Sequence, residues 1–250
     1  MTGKTPRQWL AEEPYTLALS AGYFGFFSHA GVLKALLEEG VAPRRVIGVS
    51  AGALTGGLWA GGVAIDTIVE MLLSIRKDDF WDPGLPVGGL LRGQKFQRIL
   101  ENVLDGTGVS DIEHMPVPFA AVAFDIAALK PTSLERGSLP LAIRASCAVP
   151  LMFRPVVRGG RLLVDGGVTD RSGISAMGED ERVFCHFLPS NHGWGPLYNW
   201  QQRRQGTPSN RLRFTQKGLP PVSPDQLDNG ARAYRQSYET TLRWLDSVVF

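Results

Sequence analysis

The sequence predicts an α/β fold with a mostly parallel sheet, because two strand–loop–helix units follow one another within the first 60 residues. The first unit has a buried strand at 16–20 and a helix that is expected to begin near His29 and end before Gly40. The second has a β-branched run at 45–47 and a small-residue helix at 51–60. Strands joined in this order by helices lie parallel in one sheet.

The remaining pattern continues this alternation of helices and strands. We predict helices at 65–75, 94–104, 141–148 and 227–249, and strands at 118–126, 162–164 and 182–188. The segment 78–93 between two of the helices is rich in proline, glycine and aromatic residues, and we predict no regular structure for it.

Composition limits the class of protein. A chain of 250 residues with 44% apolar and 20% charged residues is typical of a globular α/β protein. Its net charge of +2 is too small to indicate a nucleic-acid partner, and it has no nucleic-acid-binding motif. Cys147 and Cys185 lack metal or redox spacing, which predicts free thiols in a reducing compartment. No apolar run follows the first charged residues, so we expect a cytoplasmic protein without a secretory signal peptide.

A stretch without charge, between Arg45 and Asp66, has the length of a membrane span. It contains six glycines, and a strand, a tight turn and a buried helix explain it equally well. We therefore predict no transmembrane segment.

Ser50 lies at the centre of a G-x-S-x-G motif between this strand and this helix. Gly48 and Gly52 allow a sharp turn that exposes the serine hydroxyl near a helix N-terminus, where developing negative charge is stabilised. The motif alone is equally compatible with a serine that only caps the helix.

A serine nucleophile needs a base, and Asp165 is the first candidate. Asp165, Gly166 and Gly167 directly follow the strand 162–164, so the carboxylate would lie at an edge of the sheet. A Ser-His-Asp arrangement that uses His186 or His192 is the alternative. His186 lies within an apolar strand pattern and His192 in a predicted surface loop, so both are weaker candidates.

Several segments together resemble the patatin-like phospholipase family. They are the serine motif 48–52, the segment 144–150, the Asp-Gly-Gly motif 165–167, the helix 31–36 and the segment 153–156, and the similarity extends from Thr16 to Ile174. The resemblance implies a three-layer α/β/α sandwich and a catalytic dyad of Ser50 as nucleophile and Asp165 as general base. It also implies acyl-ester hydrolysis of phospholipids and other lipid esters, with no cofactor and no obligatory metal.

The sequence departs from the family pattern in the oxyanion loop. The family has three glycines, any residue, a basic residue and a glycine, whereas at 20–25 only Gly22 and Gly25 match and Phe24 replaces the basic residue. The backbone N–H groups of Gly22, Tyr23 and Ala51 remain candidates for the oxyanion hole. Loss of the cation weakens the attraction for phosphate, which favours neutral esters over phospholipids as substrates. The alternative is a lipid-binding protein with little activity.

Apolar residues in the loops are expected to line an acyl-chain pocket. The candidates are Phe24, Phe27, Phe80, Trp81 and Leu90.

The part of the chain that follows the region of family resemblance differs in its charge pattern, since no acidic residue occurs between Arg182 and Pro224. It is either an ordinary solvated extension or a surface for peripheral contact with an anionic membrane. We predict a catalytic domain at 1–190 and an extension at 191–250, a basic loop and then a helix, packed on the same domain. The expected partner is a lipid ester substrate, and the oligomeric state is not indicated.

Overall fold

A computed structural model of the chain describes residues 3–85, 88–189 and 209–248. Its helices are α1 (Pro6–Glu12), α2 (Phe26–Glu38), α3 (Ala51–Ala60), α4 (Ile65–Ser74), α5 (Lys77–Phe80), α6 (Gln94–Asp105), α7 (Leu139–Ser146) and α8 (Asn229–Leu245). Its strands are β1 (Thr16–Leu19), β2 (Arg45–Val49), β3 (Gly89–Leu91), β4 (Phe119–Asp125), β5 (Lys130–Leu134), β6 (Leu151–Phe153), β7 (Val156–Arg158), β8 (Arg161–Asp165), β9 (Val183–Phe187) and β10 (Arg211–Thr215).

The central sheet has the strand order β10-β9-β1-β2-β4-β8-β7, and β5 also pairs with β4. Strands β10, β9, β1, β2 and β4 are parallel, whereas β5 and β8 run antiparallel to β4. Strands β3 and β6 form a separate two-stranded sheet. The predicted α/β sandwich with a mostly parallel central sheet is confirmed.

Alternate residues of the parallel strands enter two different cores. Leu17 and Leu19 of β1 belong to an apolar cluster with Leu33 and Leu36 of α2. Ala18 belongs to a cluster on the other face, with neighbouring strand residues and the segment that contains the 3-10 turn Ile174–Ala176. This period-2 division is what a sheet covered on both faces requires.

The last described elements are integrated with the rest of the fold. Strand β10 extends the sheet next to β9, and α8 packs against α2 at Gly31, where a Cβ would lie 2.4 Å from the carbonyl oxygen of Tyr234. Arg213 of β10 stacks its guanidinium over the ring of Phe187, 4.0 Å from its centroid. The boundary between 190 and 191 and much of the basic loop lie outside the described residues, so both remain predictions.

Several boundaries and elements differ from the prediction. Helix α2 begins at Phe26 rather than near His29, because the turn Gly22–Gly25 closes with a hydrogen bond from Gly25 N to Gly22 O. The sequence does not predict helices α1 and α5 or strands β3, β5, β6, β7 and β10. Helix α5 and strand β3 fall largely within the segment 78–93, so the prediction of no regular structure there is wrong. Most of these strands have three to five residues, too few for a period to be recognised.

Within the described ranges, no helix has both the length and the apolar character that a membrane crossing needs.

Candidate active site

Ser50 forms a sharp turn between β2 and α3. Its backbone has φ 53° and ψ −117°, a conformation that is costly for a residue with a side chain. A Cβ at Gly52 would lie 2.1 Å from the carbonyl oxygen of Leu19, and a Cβ at Gly48 would lie 2.4 Å from Ala53 Cα. Only glycine therefore fits on either side of the serine.

The strand register brings Asp165 to Ser50. Strand β8 does not neighbour β2, since β4 lies between them. Val49 pairs with Val122 of β4, and Asp165 pairs with the next residue, Ala123. Because β8 runs antiparallel to β4, its last residue reaches the level at which the chain leaves β2. There the Ser50 side chain lies close enough to the Asp165 carboxylate to lower the pKa of that carboxyl, and both residues line the same cavity.

Asp165 is buried, and its surroundings act on its charge in opposite directions. Burial raises the pKa of this carboxyl from 3.8 to about 6, because the ionised form loses its hydration. The neighbouring Ser50 hydroxyl lowers the pKa, as do the hydrogen bond that the backbone N–H of Gly167 donates to Oδ1 at 2.7 Å and the charge of Arg171. At neutral pH the carboxylate is mainly ionised and can accept a proton.

Ser146, at the end of α7, fixes the strained turn. Its Oγ accepts a hydrogen bond from Ser50 N at 2.8 Å and donates one to the carbonyl oxygen of Val122 at 2.6 Å. The neighbouring Cys147 donates from its Sγ to the carbonyl oxygen of Ser50 at 3.1 Å. Burial, followed by the charge of Asp165, raises the pKa of the Cys147 thiol, so the thiol stays protonated. No motif in the sequence predicts that either residue positions Ser50.

The loop between β1 and α2 lines the same cavity as Ser50 and Ala51. In the part of the chain that the structure describes, the N–H groups of Gly22, Tyr23 and Ala51 make no hydrogen bond. Gly22 and Gly25 pack against Leu188, whose Cδ1 would lie 2.9 Å and 2.5 Å from a Cβ at these two positions. A side chain at either glycine would therefore have to displace Leu188.

Arg171 holds this loop from the other side. Its carbonyl oxygen accepts a hydrogen bond from Ala21 N at 2.7 Å, and its Nη2 donates to the carbonyl oxygens of Ala21 at 3.1 Å and Leu188 at 3.3 Å. Arg171 also lines the cavity in front of Ser50. A cation is therefore present near the loop although Phe24 occupies the family's basic position. The sequence offered no signal for it, since Arg171 lies far from the loop along the chain.

A mainly apolar cavity of about 320 Å³ opens in front of Ser50 and Asp165. Its apolar lining includes Phe24, Phe26, Phe80, Phe96, Met152 and Phe153. Phe24 has φ 51°, and its ring contacts those of Tyr23, Phe26 and Phe80 at centroid distances of 4.9–6.1 Å.

Three of the predicted pocket residues do not line this cavity. Phe27 is buried in the core, where its ring lies against Gly230 of α8, because α2 begins early enough to turn the side chain inward. Trp81 is partly exposed below the ammonium group of Lys77, and the Leu90 side chain points to solvent from β3. The prediction is corrected for these residues.

His186 is not placed as a base for Ser50. Its ring is buried in β9, with Nδ1 at 2.8 Å from His29 Nδ1 and Nε2 at 3.0 Å from Gln216 Oε1. Burial lowers the pKa of both histidines, and neither ring lines the cavity. This geometry keeps His186 away from Ser50, so the alternative that uses His186 as the base is corrected. His192 lies outside the described residues.

The fold and this site define an α/β sandwich protein with a serine on a strained strand–helix turn and a buried carboxylate beside it. The patatin-like phospholipase family model matches residues 17–177. The chain belongs to the patatin-like phospholipase family.

Two relatives and one solved structure illustrate the similarity. The NTE family protein Rv1063c of Mycobacterium tuberculosis is 39% identical over 157 residues, which are 62% of this chain and 42% of that protein. Neuropathy target esterase sws of Drosophila melanogaster is 30% identical over 213 residues, 76% of this chain and 15% of that protein. The crystal structure of VipD from Legionella pneumophila superposes with a TM-score of 0.65 at 16% identity, covering 94% of this chain and 67% of VipD. The chain thus spans less than half the length of these two sequence relatives.

Proposed function

We propose that this chain hydrolyses the acyl esters of lipids, with Ser50 as the nucleophile and Asp165 as the general base. The placement of these two side chains beside each other in the wall of an apolar cavity carries the proposal. The cavity suits an acyl chain, and the pKa of Asp165, about 6, suits a base near neutral pH. Membership of the patatin-like phospholipase family and the similarity to an esterase support the same chemistry.

In the proposed reaction, Asp165 takes the Ser50 proton while Oγ attacks the ester carbonyl carbon. The N–H groups of Gly22, Tyr23 and Ala51 stabilise the oxyanion of the tetrahedral intermediate. The C–O bond then breaks, and Asp165 returns the proton to the departing alcohol. Asp165 next deprotonates a water molecule that attacks the acyl-enzyme, and the fatty acid leaves as Oγ recovers its proton.

We infer a preference for neutral esters over phospholipids. Phe24 presents an aromatic ring to the cavity where the family has a cation, and the nearby Arg171 uses its Nη2 to hold the loop. Phe24→Arg should raise activity on phospholipids relative to that on uncharged esters. An unchanged ratio between phospholipids and triglycerides would contradict this inference.

Hydrolysis of p-nitrophenyl acyl esters and labelling by a fluorophosphonate probe test the proposed reaction. Ser50→Ala should abolish both, and Asp165→Asn should abolish hydrolysis. Asp125→Asn is the matched control, since Asp125 is another buried carboxylate at the end of a strand, where it accepts from Ala127 N and Ala128 N at 3.0 Å. Turnover by folded Ser50→Ala at the wild-type rate would exclude this assignment.

A non-catalytic lipid-binding role is the second candidate. The departure of 20–25 from the family's oxyanion loop favours it. A wild-type protein that neither reacts with the fluorophosphonate nor turns over any ester, yet binds fatty acid, would establish this role instead.

A further inference from the structure

Three exposed lining residues mark the mouth of the cavity: Tyr23, Pro150 and Val168. Exposed leucines lie beside this mouth. Leu151, directly after Pro150, has 83% of its surface exposed. Leu90 and Leu85 are 57% and 76% exposed. We call Leu85, Leu90 and Leu151 the leucine rim.

The small sheet of β3 and β6 holds the leucine rim together. Gly89 pairs with Leu151, and Leu91 pairs with Phe153, which lines the cavity. Leu85 is fixed to the same sheet, because its carbonyl oxygen accepts from Arg154 Nη2 at 2.5 Å. The leucine rim thus lies outside the cavity, on or beside the strands whose neighbouring residues Met152 and Phe153 line it.

Leu151 is costly for the isolated fold. Its φ of 70° lies in the left-handed region, which is unfavourable for a leucine, and its side chain gains little from packing. Glycine would relieve the strain, and a polar residue would remove the exposed apolar surface. An apolar environment outside the chain would compensate for the exposed leucine.

Cations lie next to the leucine rim. A Cβ at Gly84 would lie 2.8 Å from both Arg92 Nε and Arg154 Nη2, so the two guanidinium groups meet beside Leu85. The nearby Asp82 is engaged by the backbone N–H groups at the start of α6. A phospholipid surface has acyl chains below a layer of phosphates. Exposed leucine side chains flanked by arginines are complementary to these two layers.

We propose that the leucine rim docks the cavity mouth on a phospholipid bilayer. The leucines enter the acyl boundary, Arg92 and Arg154 lie at the level of the phosphates, and a lipid's acyl chain enters the cavity without crossing water. This inference builds on the proposed lipid-ester hydrolysis, and it places the membrane contact at the mouth rather than on the basic segment before residue 224.

Vesicle flotation with mixed phosphatidylcholine and phosphatidylglycerol tests the docking. The double variant Leu90→Asp/Leu151→Asp should lower the vesicle-bound fraction by at least about tenfold, since it removes apolar contacts and adds anions. Its turnover of soluble p-nitrophenyl butyrate should stay at the wild-type rate, which also shows that it folds.

Val248→Asp is the matched control. Val248 is 69% exposed and follows Asp246, which pairs with Arg7 of α1. Helix α1 precedes β1, so this residue lies at the end of the sheet opposite to Ser50. Val248→Asp should float with vesicles as the wild type does.

The outcomes separate docking from catalysis. Ser50→Ala should bind vesicles normally, so docking survives even if the wild type hydrolyses no ester. A wild type that does not bind vesicles, or equal binding by the double variant, overturns the docking even if esters are hydrolysed. A double variant that binds vesicles normally but changes a dimer into a monomer in gel filtration would assign the leucine rim to a second copy of the chain.

Discussion

His29 and His186 meet ring to ring, with their Nδ1 atoms 2.8 Å apart, in a buried row behind the oxyanion loop. The row begins at the carbonyl oxygen of Ser20, which can only accept, so His29 Nε2 at 2.8 Å carries a proton. In the neutral pair, His29 Nδ1 then accepts the proton of His186 Nδ1. His186 Nε2 in turn needs a donor, which a flip of the Gln216 amide at 3.0 Å supplies.

The pair should make the fold sensitive to acid. Burial lowers the pKa of His29 from 6.5 to about 4 and lowers that of His186 as well. At these two histidines the unfolded chain therefore binds more protons than the folded chain below about pH 6.5, and their contribution to stability falls as the pH decreases from there towards 4. We expect His29 alone to account for a loss of about 3 kcal/mol by pH 4. Urea unfolding between pH 4 and 7 measures the free energy of unfolding. The same dependence of this free energy on pH in His29→Ala as in the wild type would refute the prediction.

Substitution of His186 should affect stability more than catalysis. His186→Ala leaves His29 Nδ1 and one end of the Gln216 side-chain amide without a buried partner, at a cost of about 1–3 kcal/mol in the free energy of unfolding. Folded His186→Ala should keep a kcat within about threefold of the wild type, because Asp165 is the proposed base. Denaturation midpoints and ester kinetics measure the two effects. A loss of kcat by several orders of magnitude in folded protein would favour a histidine base.

Hydrolysis should depend on the ionisation of Asp165. Since burial raises its pKa to about 6, kcat/KM should fall about tenfold per pH unit below that value. The folded pKa exceeds the unfolded value of 3.8, so the ionised carboxylate destabilises the fold above about pH 6. Asp165→Asn should thus raise the free energy of unfolding by about 1–3 kcal/mol at pH 8 while it abolishes activity. A less stable Asp165→Asn protein would argue against this electrostatic cost.

Ser146 should support catalysis by holding Ser50 in its strained conformation. Ser146→Ala leaves Ser50 N and the carbonyl oxygen of Val122 without their partner, so we expect a loss of about 1–3 kcal/mol in stability and at least about tenfold in kcat. The control is Ser138→Ala at the other end of α7, where Ser138 Oγ accepts from Leu141 N at 3.4 Å. That variant should lose about 1 kcal/mol of stability and no kcat. Equal kcat values for the two variants would leave Ser146 without a positioning role.

Arg171 should set the pH range of the reaction. Arg171→Gln removes a charge that lowers the pKa of Asp165, so the acidic limb of the pH–rate profile should move to higher pH. Arg171→Lys keeps the charge and should shift this limb less, although it loses donors to Ala21 and Leu188. Profiles measured on a soluble ester distinguish these effects, and identical shifts in both variants would mean that the loop contacts dominate.

The local motifs of the site could be predicted from the sequence, whereas its long-range contacts could not. Ser50 and Asp165 each follow a strand within a few residues of glycines, and such turns can be recognised locally. The contacts of Ser146 with Ser50 and of Arg171 with Ala21 join residues that lie about 100 and 150 positions apart, and no pattern along the chain records them. Phe27 was misplaced because its environment depends on where α2 begins and on α8, far away in sequence.

The shared contact of Gly22 and Gly25 with Leu188 has an evolutionary consequence. Because one δ-methyl group fills the space beside both glycines, a side chain at either position has to displace Leu188 or requires a smaller residue there. Homologues should therefore tend to change these three positions together, and a screen that fixes leucine at 188 should recover active loops mainly with glycine at 22 and 25.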